Sequence, residues 1–312
     1  MTSIVDTKIN SMDIELSGSC NYKCKMCPHD EPGREPEFLR NLPFDLFKNI
    51  IDQAVDLGVK NIRLHGSGEP TLYKKLVDAV QYCSDKNLNT LITTNGARLT
   101  SELSQRLCDA GLTELTVSVI GSNRESYQKW MGEDNFDLIR NNVKAYNSLS
   151  QRPANLYHLI TDPNRENEEI QEYKLNWEEY TQSTSEIWKM HNWSGVWDNQ
   201  IFLRKKSEQR SCGRMFQPIV EVRAGGIDGH QGAVVACCMV LGNDSQAVLG
   251  HLDSESLIDI WNGPARKKLQ EYHSAGRWNE IDYCKNCDQL YDNPESLVYT
   301  SKQGRKYNQI KF

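Results

Sequence analysis

Cys20-Asn21-Tyr22-Lys23-Cys24-Lys25-Met26-Cys27 is the stretch whose reading settles the rest of the chain. Its three thiols, at spacings of four and three, follow an apolar alternation (Met12, Ile14, Leu16) that predicts a β-strand. In so short a loop the sulfurs can converge on one compact inorganic cluster. A cube of four irons wants four ligands and here receives three thiolates, so one iron stays open. An open metal position is a reactive one. Zinc is the plain alternative, but its sites favour paired C-x2-C units and no fourth ligand lies nearby.

Outward from this loop, strand and helix patterns alternate to about residue 190. Helical spacing marks Asp45–Leu57, Tyr73–Lys86, Ser101–Ala110, Phe136–Leu149 and Glu168–Tyr180, with Ser101 as a cap and Gly111 as a stop. Short apolar runs mark strands at Ile62–His65, Leu91–Thr94, Leu115–Val119, Leu156–Ile160 and Ile187–Met190. This α/β alternation predicts a parallel sheet with right-handed crossovers, closed partway as a partial (β/α)6 TIM-like barrel. Chemistry then belongs at the C-terminal strand ends. Polar motifs fall there: Gly66-Ser67-Gly68-Glu69-Pro70, Thr94-Asn95-Gly96, Val117-Ser118-Val119, and Asn164 with Arg165. The glycines let backbone approach a ligand, and Glu69 is an acceptor for an ammonium. Taken singly, each is also an ordinary turn.

The chain has 312 residues, a net charge of −6 from 36 basic and 42 acidic residues, and no long run of one sign. A nucleic-acid surface would want a basic stripe, so none is expected. Met1–Asn10 does not read as a signal peptide, and Ala233–Leu241 is far too short to span a bilayer. A soluble cytoplasmic protein without membrane partners is the expectation, in which ten cysteines serve as metal ligands or core residues rather than disulfides. Cys83 and Cys108 fall on apolar helix faces and read as buried structural thiols.

Past His191 the periodicity breaks, dividing the chain into residues 1–195 and 196–312. A linker with Trp193 and Trp197 precedes Cys212. An alternating stretch (Ile219, Val220, Val222), a turn at Gly225–Gly229 and Ala233–Cys238 then suggest a hairpin. Leu257–Tyr272 reads as a helix, Cys284-Lys285-Asn286-Cys287 follows, and the polar tail Asp292–Phe312 is expected to be partly disordered. Neighbours on a strand point to opposite faces, so Cys237 and Cys238 are not expected to bind one cluster together.

C-x3-C-x2-C after a first strand resembles the signature of the radical S-adenosylmethionine (SAM) enzymes. The resemblance implies that Cys20, Cys24 and Cys27 bind a [4Fe–4S] cluster whose open iron is chelated by SAM. Reductive cleavage of SAM then gives a 5′-deoxyadenosyl radical, with a flavodoxin- or ferredoxin-type reductant. Met26 stands where the family usually has an aromatic residue near the adenine, and Tyr22 either covers the cluster or fills space. By the same resemblance, Gly66, Ser67, Gly68 and Glu69 meet the methionine amino group, Asn95 lines the SAM pocket and Ser118 meets the ribose. Asn164 and Arg165 are alternatives for the SAM carboxylate.

The C-terminal cysteines, with Leu249-Gly250-His251 and a Ser-Leu-x-x-Ile-Trp-Asn run, resemble the SPASM/twitch extension of that family. It implies one auxiliary [4Fe–4S] cluster on Cys212, Cys237, Cys284 and Cys287, with zinc on the same four as the alternative. Which of Cys237 and Cys238 is the ligand stays open. The lead expectation is an epimerase of a sugar or aminocyclitol, in which Cys238 faces the barrel mouth and returns a hydrogen atom. The alternatives are oxidation of an alcohol, as in twitch-bearing dehydrogenases, and peptide modification. An iron–sulfur electron carrier is the reading outside catalysis. No leader-binding domain is expected before residue 20. His191, Asn192 and Trp193 are candidate substrate contacts or else a buried anchor, and Arg204, Lys205 and Lys206 are a candidate anion contact or a solvated surface.

Overall fold

The computed structural model describes residues 8–30, 35–196, 209–241, 244–291 and 296–302. Trp197, Arg204, Lys205, Lys206 and most of the tail lie outside the described residues. Strands β1 (Ser11–Ile14), β2 (Asn61–Leu64), β3 (Asn89–Thr94), β4 (Glu114–Ser118), β5 (Asn155–Ile160) and β6 (Thr184–Lys189) pair in sequence order, all parallel. Helices α1 (Phe44–Asp56), α2 (Leu76–Asp85), α3 (Ser101–Asp109), α4 (Arg124–Met131), α5 (Phe136–Leu149) and α6 (Glu166–Tyr173) connect them. The expected partial barrel is the architecture found.

Strand parity decides what each face of this sheet does. Met12, Ile14, Ile62, Leu64, Ile92, Val117, Leu156 and Ile187 point outward and are fully buried against the helices. Burying each large aliphatic side chain contributes about 1.5–3 kcal/mol. The intervening residues line the inner face and include polar ones: Asp13 and Glu15 on and after β1, and Arg63 followed by His65 on and after β2. Thr93, Thr116, Ser118 and Tyr157 continue the same face on β3, β4 and β5. With apolar Leu91, Leu159 and Trp188 among them, these polar residues make the barrel interior a place for a ligand rather than a second core.

The C-terminal segment is fused to this sheet. Strand β7 (Ile219–Val222) pairs parallel with β1, and β8 (Ala233–Val235) and β9 (Val248–His251) follow antiparallel. Strand β10 (Leu297–Thr300) returns to the opposite edge and pairs antiparallel with β6. The ten-stranded order is β10-β6-β5-β4-β3-β2-β1-β7-β8-β9. Part of the tail expected to be disordered therefore closes the sheet edge, which no local pattern encodes.

Other differences have local causes. The cap of α3 is Thr100, whose side chain accepts from Leu103 N, rather than Ser101. The unforeseen α4 is a polar helix fixed at its start by a capping box of Asn123 and Ser126. The helix expected over 257–272 is two, α7 (Leu257–Trp261) and α8 (Pro264–Ser274), because Gly263-Pro264 breaks it. Cys83 is buried as read, whereas Cys108 is only partly so.

Candidate active site

The first cysteine loop lies beyond the C-terminal end of β1 and is pinned from several sides. Gly18 N donates to Arg40 O at 2.8 Å, Glu69 N to Ser19 O at 2.8 Å and Lys25 N to Trp130 O at 2.8 Å. His29 Nε2 meets Gly18 O at 2.8 Å. A side chain on Gly68 would stand 2.0 Å from Ser17 O, so only glycine lets the two loops touch. Cys27 N donates to Cys24 O at 3.0 Å, and Tyr22 N to the Cys20 thiol at 3.5 Å. Burial pushes the Cys24 thiol above its usual range, and Cys27 and Cys20 nearby add to the shift. Three thiols this close favour a group that takes up thiolate charge, so the residues present fit a cluster. No three His, Cys, Asp or Glu side chains among the described residues are placed to hold a single metal ion.

Tyr22 is buried, its hydroxyl 3.3 Å from that of Tyr127 and accepting from Asn135 Nδ2 at 2.8 Å. It packs beneath the loop and fills space. Met26 is buried as well, and its carbonyl accepts from Trp193 Nε1 at 2.6 Å.

In the segment 66–70, Glu69 does not present its carboxylate to the interior. Oε1 accepts from Thr71 N (3.0 Å), Thr71 Oγ1 (2.7 Å) and Thr94 Oγ1 (2.6 Å), and Oε2 from Asn95 N (2.8 Å). Burial raises its pKa, opposed by these bonds. Glu69 thus fixes the end of β3 against the loop after β2. Ser67 likewise turns toward Glu15, donating from N and Oγ at 2.6 and 2.5 Å. Gly66 lies against the same Glu15 side chain, where a Cβ would stand 2.4 Å from Oε2. Asn95 Nδ2 donates to Asn21 Oδ1 at 3.0 Å, which ties this end to the cysteine loop. Ser118 ends β4 on the inner face, partly accessible.

The inner face also carries a network that the sequence reading passed over. Asp13 sits between its register partners Arg63 and Glu221. Its oxygens accept from Arg63 Nε and Nη2 at 2.5 and 2.6 Å, and His65 Nε2 is 3.2 Å from Oδ2. Burial alone would raise the Asp13 pKa, but His65 and Arg63 hold it below the ordinary value. Glu221 pairs with Arg214, and Glu15 lies 3.9 Å from Arg223. The signal was available in the parity of β1, where Asp13 and Glu15 alternate with the apolar residues.

The C-terminal cysteines gather. Cys212 interacts electrostatically with Cys284, Cys287 and Cys238, and Cys237 with Cys238 and Tyr283. Burial pushes Cys287 up to about 12 and raises Cys212 and Cys284. This donor set fits a second cluster. Cys237 and Cys238 lie in a turn past the end of β8, so the argument from opposite strand faces does not apply to them. Arg223 Nη2, just past the end of β7, donates to Cys238 O at 3.5 Å, and the Cys238 thiol interacts electrostatically with Arg214 and Asp13, so Cys238 borders the inner-face network.

The segment after β6 is bonded to both cysteine loops. Asn192 Nδ2 donates to Asn286 O at 2.8 Å, and Oδ1 accepts from Gly195 N and Asp288 N at 3.1 Å each. Trp193 packs edge-on against His191 at 4.2 Å, and Ser194 Oγ donates to Tyr283 O. With Trp193 bonded to Met26 O, these residues form a strap between the two cysteine loops, in which His191 and Ser194 are buried and Asn192 and Trp193 half-buried.

No helix among the described residues is long and apolar enough to cross a membrane. The radical SAM superfamily model matches residues 14–174, just over half the chain, and that of the SPASM iron–sulfur cluster-binding domain matches 229–288. A probable GTP 3′,8-cyclase of Methanococcus maripaludis is 29% identical over 156 residues, 50% of this chain and 51% of that protein. The mycofactocin maturase MftC of Mycolicibacterium smegmatis is 29% identical over 136 residues, 44% of this chain and 33% of that protein. The chain spans about half the length, or less, of such curated relatives. Among solved structures, BtrN in complex with AdoMet and 2-DOIA has a TM-score of 0.63 at 19% identity, covering 94% of this chain and 98% of BtrN. Streptococcus suis SuiB bound to precursor peptide SuiA has a TM-score of 0.66 at 15% identity, covering 92% and 71%. These likenesses carry the fold. The chain belongs to the radical SAM superfamily, as an enzyme of [4Fe–4S] clusters and SAM with a C-terminal SPASM-type iron–sulfur domain.

Proposed function

We propose that the protein oxidises a hydroxyl-bearing carbon of a small polar substrate, a polyol or aminocyclitol, held on the inner face of the barrel. The observation that carries this reading is the inner-face network of Asp13, Arg63 and His65, a hydrogen-bonding surface suited to hydroxyls, with the auxiliary cysteines beside it. Cys238 meets Asp13 and Arg214 of this network electrostatically, and Cys212 and Cys237 in turn, so an electron acceptor on the auxiliary cysteines would stand beside a substrate held there.

Cys20, Cys24 and Cys27 would hold the first cluster, and Cys212, Cys237, Cys284 and Cys287 the auxiliary one. When bound, these groups and SAM supply a 5′-deoxyadenosyl radical that takes one hydrogen atom and an acceptor that takes one electron. Met26, Gly66, Gly68, Asn95 and Ser118 border the SAM site, with Asn164 or Arg165 for its carboxylate. Because the Glu69 carboxylate is occupied, carbonyl oxygens of its loop are better placed to accept from the SAM ammonium. A flavodoxin- or ferredoxin-type protein is the proposed reductant. What fold neighbours hold, 2-DOIA in BtrN and a precursor peptide in SuiB, sets the substrate classes to try.

The test is mass spectrometry of candidate substrates incubated in heavy water with reduced, cluster-loaded protein and SAM. Loss of two hydrogens from a polyol is the expected result. One solvent deuterium retained at carbon, with no net oxidation, would instead establish epimerisation.

A further inference from the structure

Oxidation of a hydroxyl-bearing carbon releases a hydrogen atom, an electron and a proton, and the bound groups dispose only of the first two. We propose that His65, oriented by Asp13, takes the proton from the substrate hydroxyl, an inference that rests on the oxidation reading above.

His65 follows β2 directly and precedes Gly66 by one residue, so it stands between the SAM loop and the inner face. Ile62 and Leu64 bury the opposite face of β2 completely against the helices, while the His65 side chain keeps 28% of its exposure. Its Nε2 meets Asp13 Oδ2 at 3.2 Å. Asp13 is 2% exposed and already holds Arg63 through both oxygens, so it is an anion that accepts from His65 rather than donating to it. That contact sets the Nε2 proton against Asp13 and leaves Nδ1 as the position for a lone pair. No hydrogen bond to Nδ1 is formed among the described residues. A base oriented by a buried carboxylate, with its other ring nitrogen unbonded among the described residues, is the arrangement that proton abstraction needs.

Other charged groups facing this position are committed elsewhere. Glu15 accepts from Ser67 N and Oγ and from Ala224 N, and Arg223 stands beside it. Glu221 pairs with Arg214. Nor does Asp13 need His65 to be satisfied, since Arg63 already binds it twice. In the proposed step the substrate O–H bond breaks and an Nδ1–H bond forms. The C=O bond is completed as one electron leaves to the oxidised auxiliary cluster. The imidazolium so formed is stabilised by Asp13.

Two measurements on the full-length protein test this. In the resting protein, 15N NMR of the imidazoles with His65→Gln as the assignment control should show His65 protonated at Nε2 and bare at Nδ1. In the loaded protein, 2-DOIA and scyllo-inositol serve as probes. His65→Gln should keep its iron content and SAM affinity, which a merely structural role would lower. Its yield of oxidised product per 5′-deoxyadenosine should fall about 100-fold or more. Free imidazole should restore product to His65→Ala, and Asp13→Asn should lower product without altering SAM affinity. Proton on Nδ1 in the resting protein overturns the proposal whatever the substrate. So does product from His65→Gln within about threefold of wild type, a change too small for a lost base. If wild-type protein forms 5′-deoxyadenosine with a probe but the probe loses no hydrogens, the oxidation reading itself fails and takes this role with it.

Discussion

The indole nitrogen of Trp193 donates to the carbonyl of Met26 at 2.6 Å, linking the segment after β6 to the first cysteine loop. One residue on, Ser194 Oγ donates to Tyr283 O beside Cys284, and Asn192 holds Asn286 and Asp288 on either side of Cys287. Trp193 and Ser194 adopt φ values of 47° and 59°, a left-handed conformation that costs about 1–3 kcal/mol per residue outside glycine. Hydrogen bonds at both ends hold it in place. The strap fixes where the two cysteine loops stand relative to each other.

Trp193→Phe keeps the ring and removes only the donor. Met26 O then loses its partner, and stability should fall by about 1–2 kcal/mol. Thermal unfolding followed by circular dichroism checks this. Unchanged stability would mean that the bond contributes nothing to the strap.

Glu69→Gln replaces an acceptor of four donors by a group with one acceptor oxygen and an NH2. The NH2 must face Asn95 N or the hydroxyls of Thr71 and Thr94. Leaving a buried donor unsatisfied costs about 1–3 kcal/mol, and both strand-end loops should loosen. Isothermal titration should show SAM affinity reduced about tenfold or more, equivalent to the lower part of that range. Affinity equal to wild type would show that the loop does not depend on this carboxylate.

Cys237→Ala and Cys238→Ala should differ. Met239 N donates to the Cys237 thiol at 3.4 Å, the kind of backbone contact that supports a thiolate. Iron analysis of Cys237→Ala should show about four fewer irons per chain, the content of one cube. Cys238→Ala should keep its iron. The reverse result would exchange the two assignments.

Acid stability should depend on Glu169. Its oxygens accept from His158 Nε2 at 3.0 Å, Thr161 N and Oγ1, and Asp162 N. Burial would raise its pKa, but His158 and these donors hold it below the ordinary 4.5. The stabilisation is therefore complete above pH 4.5 and is lost as pH falls through the lower folded value. Urea denaturation of wild type and Glu169→Gln should differ most above pH 4.5 and converge in acid. A difference independent of pH would contradict this.

The first cysteine loop and the strand–helix alternation were legible because each is written within a few neighbouring residues. The joins were not. That β7 adds to β1 and β10 to β6 depends on pairing between segments distant in the chain. The run 233–238 reads as continuous strand, whereas β8 stops at Val235 and the two cysteines lie in the turn beyond it. Asn192 and Trp193 look like ligand contacts in isolation, and their partners at Asn286, Asp288 and Met26 are far away in sequence. Asp13 and His65 were readable in principle, since the same alternation that exposed Met12 and Ile14 assigns Asp13 to the other face.

Electron paramagnetic resonance of the anaerobically reconstituted and reduced protein, titrated with SAM, tests the central claim most directly. The account predicts a [4Fe–4S] signal that changes as SAM occupies the open iron, and Cys24→Ala should lose that SAM-responsive component while keeping the auxiliary signal. A wild-type spectrum indifferent to SAM, or a SAM response that survives Cys24→Ala, would contradict it.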